Sequence, residues 1–401
     1  MTPQTNKTQQ TPHPQMSYEQ QYHDALRLNP FPMYRQLRET QPVFYNESRQ
    51  WWELYRYDDI LAVLSDTTRF SAERYLPPEN QVSENLPTRS ILNMDPPRHR
   101  QLRALINQAF APRSVAQLTP RIHELVNELL DAVTPRGQMD VVSDLAGQLP
   151  LRIINEMLGI PDEDIERIKQ MITKASAQAI DIRITGFQEL NEYFKHSIAR
   201  HRAEPTDDQI DALLNSQIEG TPLSERDIIN FCVLLLFAGN ETLTNLIGNA
   251  LLCFDEHPNA MREVQADLSL LPDALEEILR YLSPVQLLVR STIEDMVIGG
   301  TPIKAGQMLF LLAGSANRDE TQFPNPDTFD IRRTPNRHLA FGQGIHFCLG
   351  APLAHVAAKI TLTAMLQRCK NIQRVRDIPL KPSDNFFVYG VKSLPITFEH
   401  V

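Results

Sequence analysis

The stretch from Ser224 to about Phe254 constrains this chain most, because it reads as one long helix that cannot be left in water. Ser224 stands where an N-cap hydroxyl belongs, with Asp227 three residues on, and the helix spans about 45 Å. Its middle is nearly all apolar, Phe231-Cys232-Val233-Leu234-Leu235-Leu236-Phe237, and a helix apolar on every side must be enclosed by other elements. Such a chain folds around this helix as a large, mainly helical body. Into the same helix the sequence sets Ala238-Gly239-Asn240-Glu241-Thr242. A buried carboxylate is costly, and Gly239 forfeits about 1 kcal/mol relative to alanine in a helix interior. Residues that weaken a core element point to chemistry. The plainer reading is a kink, with the threonine bonded back to its own helix.

The rest of the sequence supplies the enclosing body. The chain has 401 residues, 42% of them apolar, enough for a large core and, by length alone, for two or three domains. No repeat divides it, and Phe323-Pro324-Asn325-Pro326 reads as an ordered meander instead of a linker. One domain over residues 26–401 is the simpler organisation, behind a flexible tail over 1–25 that carries almost no periodic apolar residues. Periodicity predicts helices over 33–39, 58–64, 100–110, 114–133, 142–158, 162–175 and 187–202. Strand character falls at 51–57, 290–298, 307–312 and 386–398, with a Gly299-Gly300 turn between the second and third. The fold class is therefore mainly α with a small β region.

Composition also excludes function classes. Cys232, Cys253, Cys348 and Cys369 are too few and too scattered for a disulfide framework, and none forms a close zinc-type pair, which fits a reducing cytoplasm. No run of eighteen apolar residues occurs, and Met1 to Gln15 lacks the apolar core of a signal peptide, so a soluble protein is expected. A formal net charge of −10, from 39 basic and 49 acidic residues, argues against a general nucleic-acid or anionic-membrane partner.

Chemistry concentrates in Phe341-Gly342-Gln343-Gly344-Ile345-His346-Phe347-Cys348-Leu349-Gly350. Its glycines make a tight turn, and Gly350 with Pro352 opens a helix. A sulfur beside that positive helix end is favoured as the thiolate, the form that ligates metal. Glu277 and Arg280 share a helix face at i, i+3 within ion-pair reach. His99 and Arg103 share a face at i, i+4 of a helix begun by Pro96 and Pro97, a short helix that also carries Arg98 and Arg100.

In this order and spacing the segments resemble those of the cytochrome P-450 enzymes, from about Asn29 to the end of the chain. The resemblance implies a single haem-thiolate domain holding haem b, with Cys348 as the iron ligand. It implies His99, Arg103, Arg290 and His346 as partners of the haem propionates, with Ala238, Phe341 and Gly342 also against the cofactor. Glu241 and Thr242 match the acid–alcohol pair that relays protons to bound dioxygen. Glu277, Arg280 and a meander arginine, taken as Arg332, match the pairing that buttresses the haem loop. A substrate pocket follows by correspondence: Ile91, Leu92, Leu234, Leu235, Ala238, Val285, Gln286, Leu287, Leu288, Phe387 and Val388. Gln286, polar among these, either orients a substrate atom or bonds to nearby backbone.

The likeness is greatest to soluble bacterial members fed by a separate ferredoxin that hydroxylate fatty acids, terpenoids and steroids. A monomer is expected, using molecular oxygen on a hydrophobic small molecule. Arg100 is the expected ferredoxin contact, since Arg103 serves a propionate. Where the family usually has Arg and then Glu after the cysteine loop, this chain has His355 and Ala357, which weakens a basic contact on that side. Two alternatives use the same features differently. A peroxide-driven peroxygenase usually replaces the acid–alcohol pair, and a non-enzymatic haem sensor has no need of one, so Glu241-Thr242 favours the monooxygenase.

Overall fold

The computed structural model describes residues 24–73, 90–177 and 179–400. The tail expected over 1–25 lies outside these residues except for its last two positions, which enter a short helical turn at Asp24–Leu28. In chain order the main helices are α1 (Phe31–Thr40), α2 (Tyr57–Ser65), α3 (Arg98–Ile106), α4 (Pro112–Val133), α5 (Leu149–Met157) and α6 (Ile165–Ala175). They continue with α7 (Ile180–Ala203), α8 (Gln209–Leu214), α9 (Glu225–Glu256), α10 (Pro258–Ala266), α11 (Leu271–Tyr281) and α12 (Ala351–Arg368). The body is mainly α, as its periodicity predicts.

Helix α9 is the expected central helix, capped as predicted: the Ser224 hydroxyl accepts from the Asp227 N–H. It runs unbroken through the middle of the largest apolar cluster, packed by α5, α7, α11 and α12. Leu236, Ile247, Ala250, Cys253 and Phe254 are fully enclosed. Each such aliphatic or aromatic side chain contributes about 1.5–3 kcal/mol by leaving water. By length and composition α9 could cross a membrane, but most of its apolar window is buried in this protein, as a core helix requires.

A five-stranded sheet forms the β region, in the order β1 (Val43–Asn46), β2 (Trp51–Leu54), β10 (Met308–Leu311), β7 (Leu288–Thr292) and β3 (Phe70–Ser71). Only the β2–β10 pairing in it is parallel. The Gly299-Gly300 turn closes a separate hairpin of β8 (Met296–Ile298) on β9 (Thr301–Ile303), so it does not join β7 directly to β10. A second hairpin pairs β5 (Gln217–Ile218) with β6 (Thr221–Pro222), and a three-stranded sheet sets β12 (Pro395–His400) between β11 (Cys369–Arg374) and β4 (Gln138–Asp140).

Two segments differ from expectation for local reasons. The helix expected over 142–158 is split into a π-helical turn, Val141–Ala146, and α5. Gly147 sits where a Cβ would lie 2.7 Å from the Val142 carbonyl oxygen, and Pro150 opens the new helix. The strand expected over 386–398 is mostly loop. Only Pro395–His400 forms a strand, β12, while Val388 makes an isolated bridge to Val285.

The meander is locked by a buried ion network. Glu277 and Arg280 are both fully enclosed, joined by two bonds of 2.7 and 2.8 Å. Arg280 also donates to the carbonyls of Asn317, Pro326 and Thr328. Glu277 further accepts from the Asp330 N–H, Arg333 and Asn336. The expected meander partner, Arg332, is not in this network. The Asp330 carboxylate accepts from the Arg332 N–H and the Asp330 carbonyl from the Arg333 N–H, a turn that sends consecutive side chains opposite ways. Arg333 points in, 3.2 Å from Glu277, and Arg332 points out to Glu263 at 2.9 Å. Removing one partner of a buried pair strands charge, whereas an exposed pair is screened. Arg333→Ala is therefore expected to lower unfolding stability by about 2–4 kcal/mol, and Arg332→Ala by less than about 1 kcal/mol. Equal shifts in denaturant midpoint would reverse the assignment.

Candidate active site

The cysteine loop is shaped by its glycines. Gly342 and Gly344 both have φ of +71°, and a Cβ on Gly344 would lie 2.6 Å from the Leu64 carbonyl oxygen. The Cys348 N–H donates to the Phe341 carbonyl at 2.8 Å, closing the turn before α12. Cys348 is half-buried, whereas Cys232, Cys253 and Cys369 are buried. Burial pushes the Cys348 thiol above its ordinary value, opposed by the Gly350 N–H, Arg103 and the Ala351 N–H. The positive helix end expected from the sequence is present, and burial outweighs it in the free thiol. A bound metal cation reverses that balance.

Beside the loop, His99 and His346 stack with ring centroids 4.2 Å apart. Burial, then the charges of Arg103 and others, holds His99 down at about 4. Burial, then Arg290, His99 and Arg103, holds His346 down at about 3. Both rings are neutral at physiological pH. Both nitrogens of His99 and Nδ1 of His346 are buried without a hydrogen-bond partner. The Arg103 guanidinium donates to the Phe347 carbonyl, within the cysteine loop. Four residues from three separate segments thus converge on one cationic recess.

On α9, Ala238 is exposed and its neighbours Phe237 and Gly239 to Thr242 are half-buried, so this face borders open space. Thr242 Oγ1 donates to the Ala238 carbonyl at 2.6 Å, the back-bonding that the plainer sequence reading predicts. Glu241 is held by the C-terminal loop, its two oxygens accepting from Ser383 Oγ at 2.8 Å and Asn385 Nδ2 at 2.9 Å. Gly239 has a packing reason: a Cβ there would lie 2.8 Å from Ile154 Cδ1 of α5. The helix does not break.

The residues expected to line a pocket fall into three groups. Ile91 and Leu234 border one small cavity with Met94, Leu102, Ile106 and Phe231. Val285 and Val388 form a β-bridge, Phe387 follows the loop at 36% exposure, and Leu288 lies beside Gly342 of the cysteine loop. Four expected pocket residues are placed elsewhere. The Gln286 amide donates to the Ser283 carbonyl at 2.8 Å and packs against Gly314, so it serves backbone. Leu287 is buried in a separate cluster with Tyr34, Tyr55, Phe310 and Leu312. Leu235 is buried in the core behind α9, and Leu92 is turned to solvent at 49% exposure.

Two residues that the sequence does not single out, Glu276 and His338, join His355 behind the cysteine loop. Glu276 accepts from His338 at 3.0 Å and His355 at 2.5 Å, and the Phe341 ring lies 5.1 Å from that of His355. The His355 Nδ1–H also donates to the Ala351 carbonyl, so both ring nitrogens are protonated. Its bond to Glu276 raises His355 above its ordinary value. Burial raises Glu276, but the bonds from His338 and His355 outweigh it and hold the carboxyl at about 2. The position where the family usually has arginine is thus occupied by a titratable cation.

Comparisons with known proteins identify the family. The family model "Cytochrome P450" matches residues 9–158 and 154–398. "Cytochrome P450 109" of Bacillus spizizenii is 40% identical over 390 residues, covering 94% of each chain. Substrate-free CYP109E1 from Bacillus megaterium superposes with a TM-score of 0.88 at 39% identity, over 94% of this chain and 100% of that one. Its complex with testosterone gives 0.85 at 39% identity, over 92% and 99%. P450BioI in complex with hexadec-9Z-enoic acid ligated acyl carrier protein gives 0.88 at 33% identity, over 94% and 99%. The chain belongs to the cytochrome P450 family. It is a monooxygenase, an oxidoreductase of the kind that uses haem, dioxygen, redox partners and hydrophobic substrates.

The residues present fit haem. Unpartnered, buried imidazole nitrogens beside Arg103 and Arg290 are what two carboxylates at a cofactor edge would satisfy. The half-buried cysteine in a glycine turn suits an iron ligand.

The Glu276–His355 pair gives a pH-dependent contribution to stability. A raised histidine stabilises below its unfolded value of about 6.5 and loses that contribution as pH rises through its folded value. A depressed carboxylate stabilises above its unfolded value of about 4.3 and loses it only as pH falls toward about 2. His355→Ala is therefore expected to destabilise the protein more at pH 6 than at pH 9. Both groups are more than one-third exposed, which limits the difference to about 1 kcal/mol or less. Unfolding curves at the two pH values check the sign.

Proposed function

We propose that this chain binds haem b through Cys348 and hydroxylates a hydrophobic small molecule of steroid or fatty-acyl type, with electrons from a ferredoxin. The observation that carries the reading is the pairing of a half-buried cysteine in a glycine turn with a carboxylate and hydroxyl on the one open face of a buried helix. When bound, haem supplies the chemistry that places one atom of dioxygen in a C–H bond and releases the other as water, at the expense of two electrons and two protons.

The remaining work falls to the chain's own residues. Cys348 Sγ holds the iron, with Phe341 and Gly342 setting the turn. His99, Arg103, Arg290 and His346 hold the propionates. Ala238, with no side chain beyond Cβ, leaves room on the open face of α9. The Thr242 hydroxyl passes a proton toward that face and Glu241 replenishes it. Ile91 and Leu234 on one side, and Val285, Leu288, Phe387 and Val388 on the other, orient an apolar substrate and exclude water. The ligands of the two relatives, testosterone and a hexadecenoyl chain, support that substrate class. Glu277, Arg280 and Arg333 keep the loop's supporting meander rigid.

Four free cysteines support a reducing cytoplasm, and a monomer is the simplest state. The ferredoxin reading rests on charge. Arg98 is committed to Asp227 at 2.7 Å and Arg103 to the Phe347 carbonyl, which leaves Arg100 exposed on α3. An acidic ferredoxin would be steered to that side, with a rate that falls as salt shortens screening to about 8 Å.

Titrating the holoenzyme with testosterone and with hexadec-9Z-enoic acid is expected to shift the haem absorbance, and reduced, aerobic enzyme should then yield a product heavier by one oxygen atom. Cys348→Ala should lose the red-shifted Soret band of the reduced carbon-monoxide complex, while Cys232→Ala, Cys253→Ala and Cys369→Ala keep it. A Cys348 variant that retained the band would overturn the ligand assignment. Arg100→Glu should slow first-electron transfer from an acidic ferredoxin at low salt and leave the spectrum and substrate affinity unchanged. Equal stopped-flow rates would remove Arg100 from the docking site.

A further inference from the structure

Glu241 is tied to the loop that carries Phe387 and Val388 by a continuous run of hydrogen bonds. Ser383 Oγ donates to Glu241 Oε1 at 2.8 Å and itself accepts from the Asn385 N–H at 3.3 Å. Asn385 Nδ2 donates to Glu241 Oε2 at 2.9 Å, and its Oδ1 accepts from the Phe387 N–H at 3.1 Å. The Phe387 carbonyl in turn accepts from the Gln286 N–H at 2.9 Å, and Val388 bridges Val285. Each side chain of the pair therefore has one end on the acid and the other on loop backbone.

This arrangement has two physical consequences. Both carboxylate oxygens are held by neutral donors, so the acid has one orientation instead of the several open to a glutamate facing a cavity. The loop's local shape also depends on the acid, because the Asx and Ser turns at 383–387 are completed by groups that Glu241 orients. Coupling of that kind is reciprocal: whatever displaces Phe387 and Val388 acts on Glu241, and whatever alters Glu241 acts on the loop.

We propose that Ser383 and Asn385 are positioning residues for Glu241, and that through them the Phe387–Val388 wall sets the reach of the proton-supplying acid. A substrate that seats against this wall leaves the acid in register, and one that pushes the wall aside moves it. The inference rests on the proton-relay reading of Glu241, and its test separates the two.

The holoenzyme, chemically reduced in air, is followed for peroxide released per dioxygen consumed, a quantity measurable with or without substrate. Glu241→Gln is expected to slow reduction of dioxygen through to water, as opposed to peroxide, by at least about tenfold. The double variant Ser383→Ala/Asn385→Ala should match it, and adding both changes to Glu241→Gln should cost less than a further twofold. Ser383→Thr, which keeps the hydroxyl, should behave as the parent. A second measurement needs no turnover: amide hydrogen exchange at Asn385 and Phe387 should quicken at least about tenfold in Glu241→Gln. A double variant that behaves as the parent while Glu241→Gln is slow overturns the positioning role and leaves the relay standing. The same loss in the Glu241→Gln background also overturns it, since the pair would then act through the loop alone. Unchanged exchange in Glu241→Gln removes the coupling to the wall, and unchanged peroxide in Glu241→Gln overturns the relay and the positioning role together.

Discussion

The buried pair of Glu277 and Arg280 is the interaction on which the rest of this structure leans. Two charges with no solvent exposure are stable only if every lone pair and proton is used, and here they are spread over the meander. Arg280 collects the carbonyls of Asn317, Pro326 and Thr328, and Glu277 collects the Asp330 N–H, Arg333 and Asn336. A stretch with little regular secondary structure thereby acquires one conformation. The cysteine loop follows directly from that stretch: the Leu339 N–H is held by Asn317, whose carbonyl is itself an Arg280 acceptor, and the Leu339 carbonyl receives the Gly342 N–H. The position of Cys348 is therefore set through the ion pair, not by the loop's own residues alone.

The central helix shows the opposite economy. Its apolar run secures burial on nearly every side, and that security tolerates the defects at Gly239, Glu241 and Thr242. Each defect is repaired from a different place. Ile154 fills the room that Gly239 leaves, the C-terminal loop holds Glu241, and the helix itself takes the Thr242 hydroxyl. Polar groups in a core are tolerated when each is satisfied.

Long-period features of the fold were legible from sequence because they depend on local rules: the N-cap at Ser224, the apolar run behind it, the glycine turn around Cys348 and the acid–base spacing of Glu277 and Arg280. What failed was decided by direction. Arg332 and Arg333 are adjacent and chemically identical, and only the turn at Asp330 says which one faces Glu277. Gln286 and Leu287 lie between Val285 and Leu288, yet they point at Gly314 and at the Tyr34 cluster respectively. The strand expected over 386–398 rests on its apolar residues. Its conformation is governed by Ser383 and Asn385, whose side chains bond to backbone two residues on. Ser and Asn two apart, at the edge of an apolar run, were the available signal for that loop.

The recess around His99 and His346 explains why fold and cofactor belong together. Burial, reinforced by the positive charges of Arg103 and Arg290, holds both imidazoles well below the ordinary histidine value. The chain alone therefore holds buried ring nitrogens with no hydrogen-bond partner, at a cost of about 1–3 kcal/mol for each such group. An anionic cofactor edge would supply an acceptor for ring N–H groups and a charge opposite to those of Arg103 and Arg290 at once. Because it does so only in the folded state, its binding free energy adds to folding stability by mass action. The recess joins α3, β7 and the cysteine loop, segments nearly 250 residues apart in the chain, since Arg103 and Phe347 are 244 positions apart. Long-range closure of that kind is entropically expensive before its contacts form. A group that bonds to all three segments offsets the expense where the protein on its own is weakest.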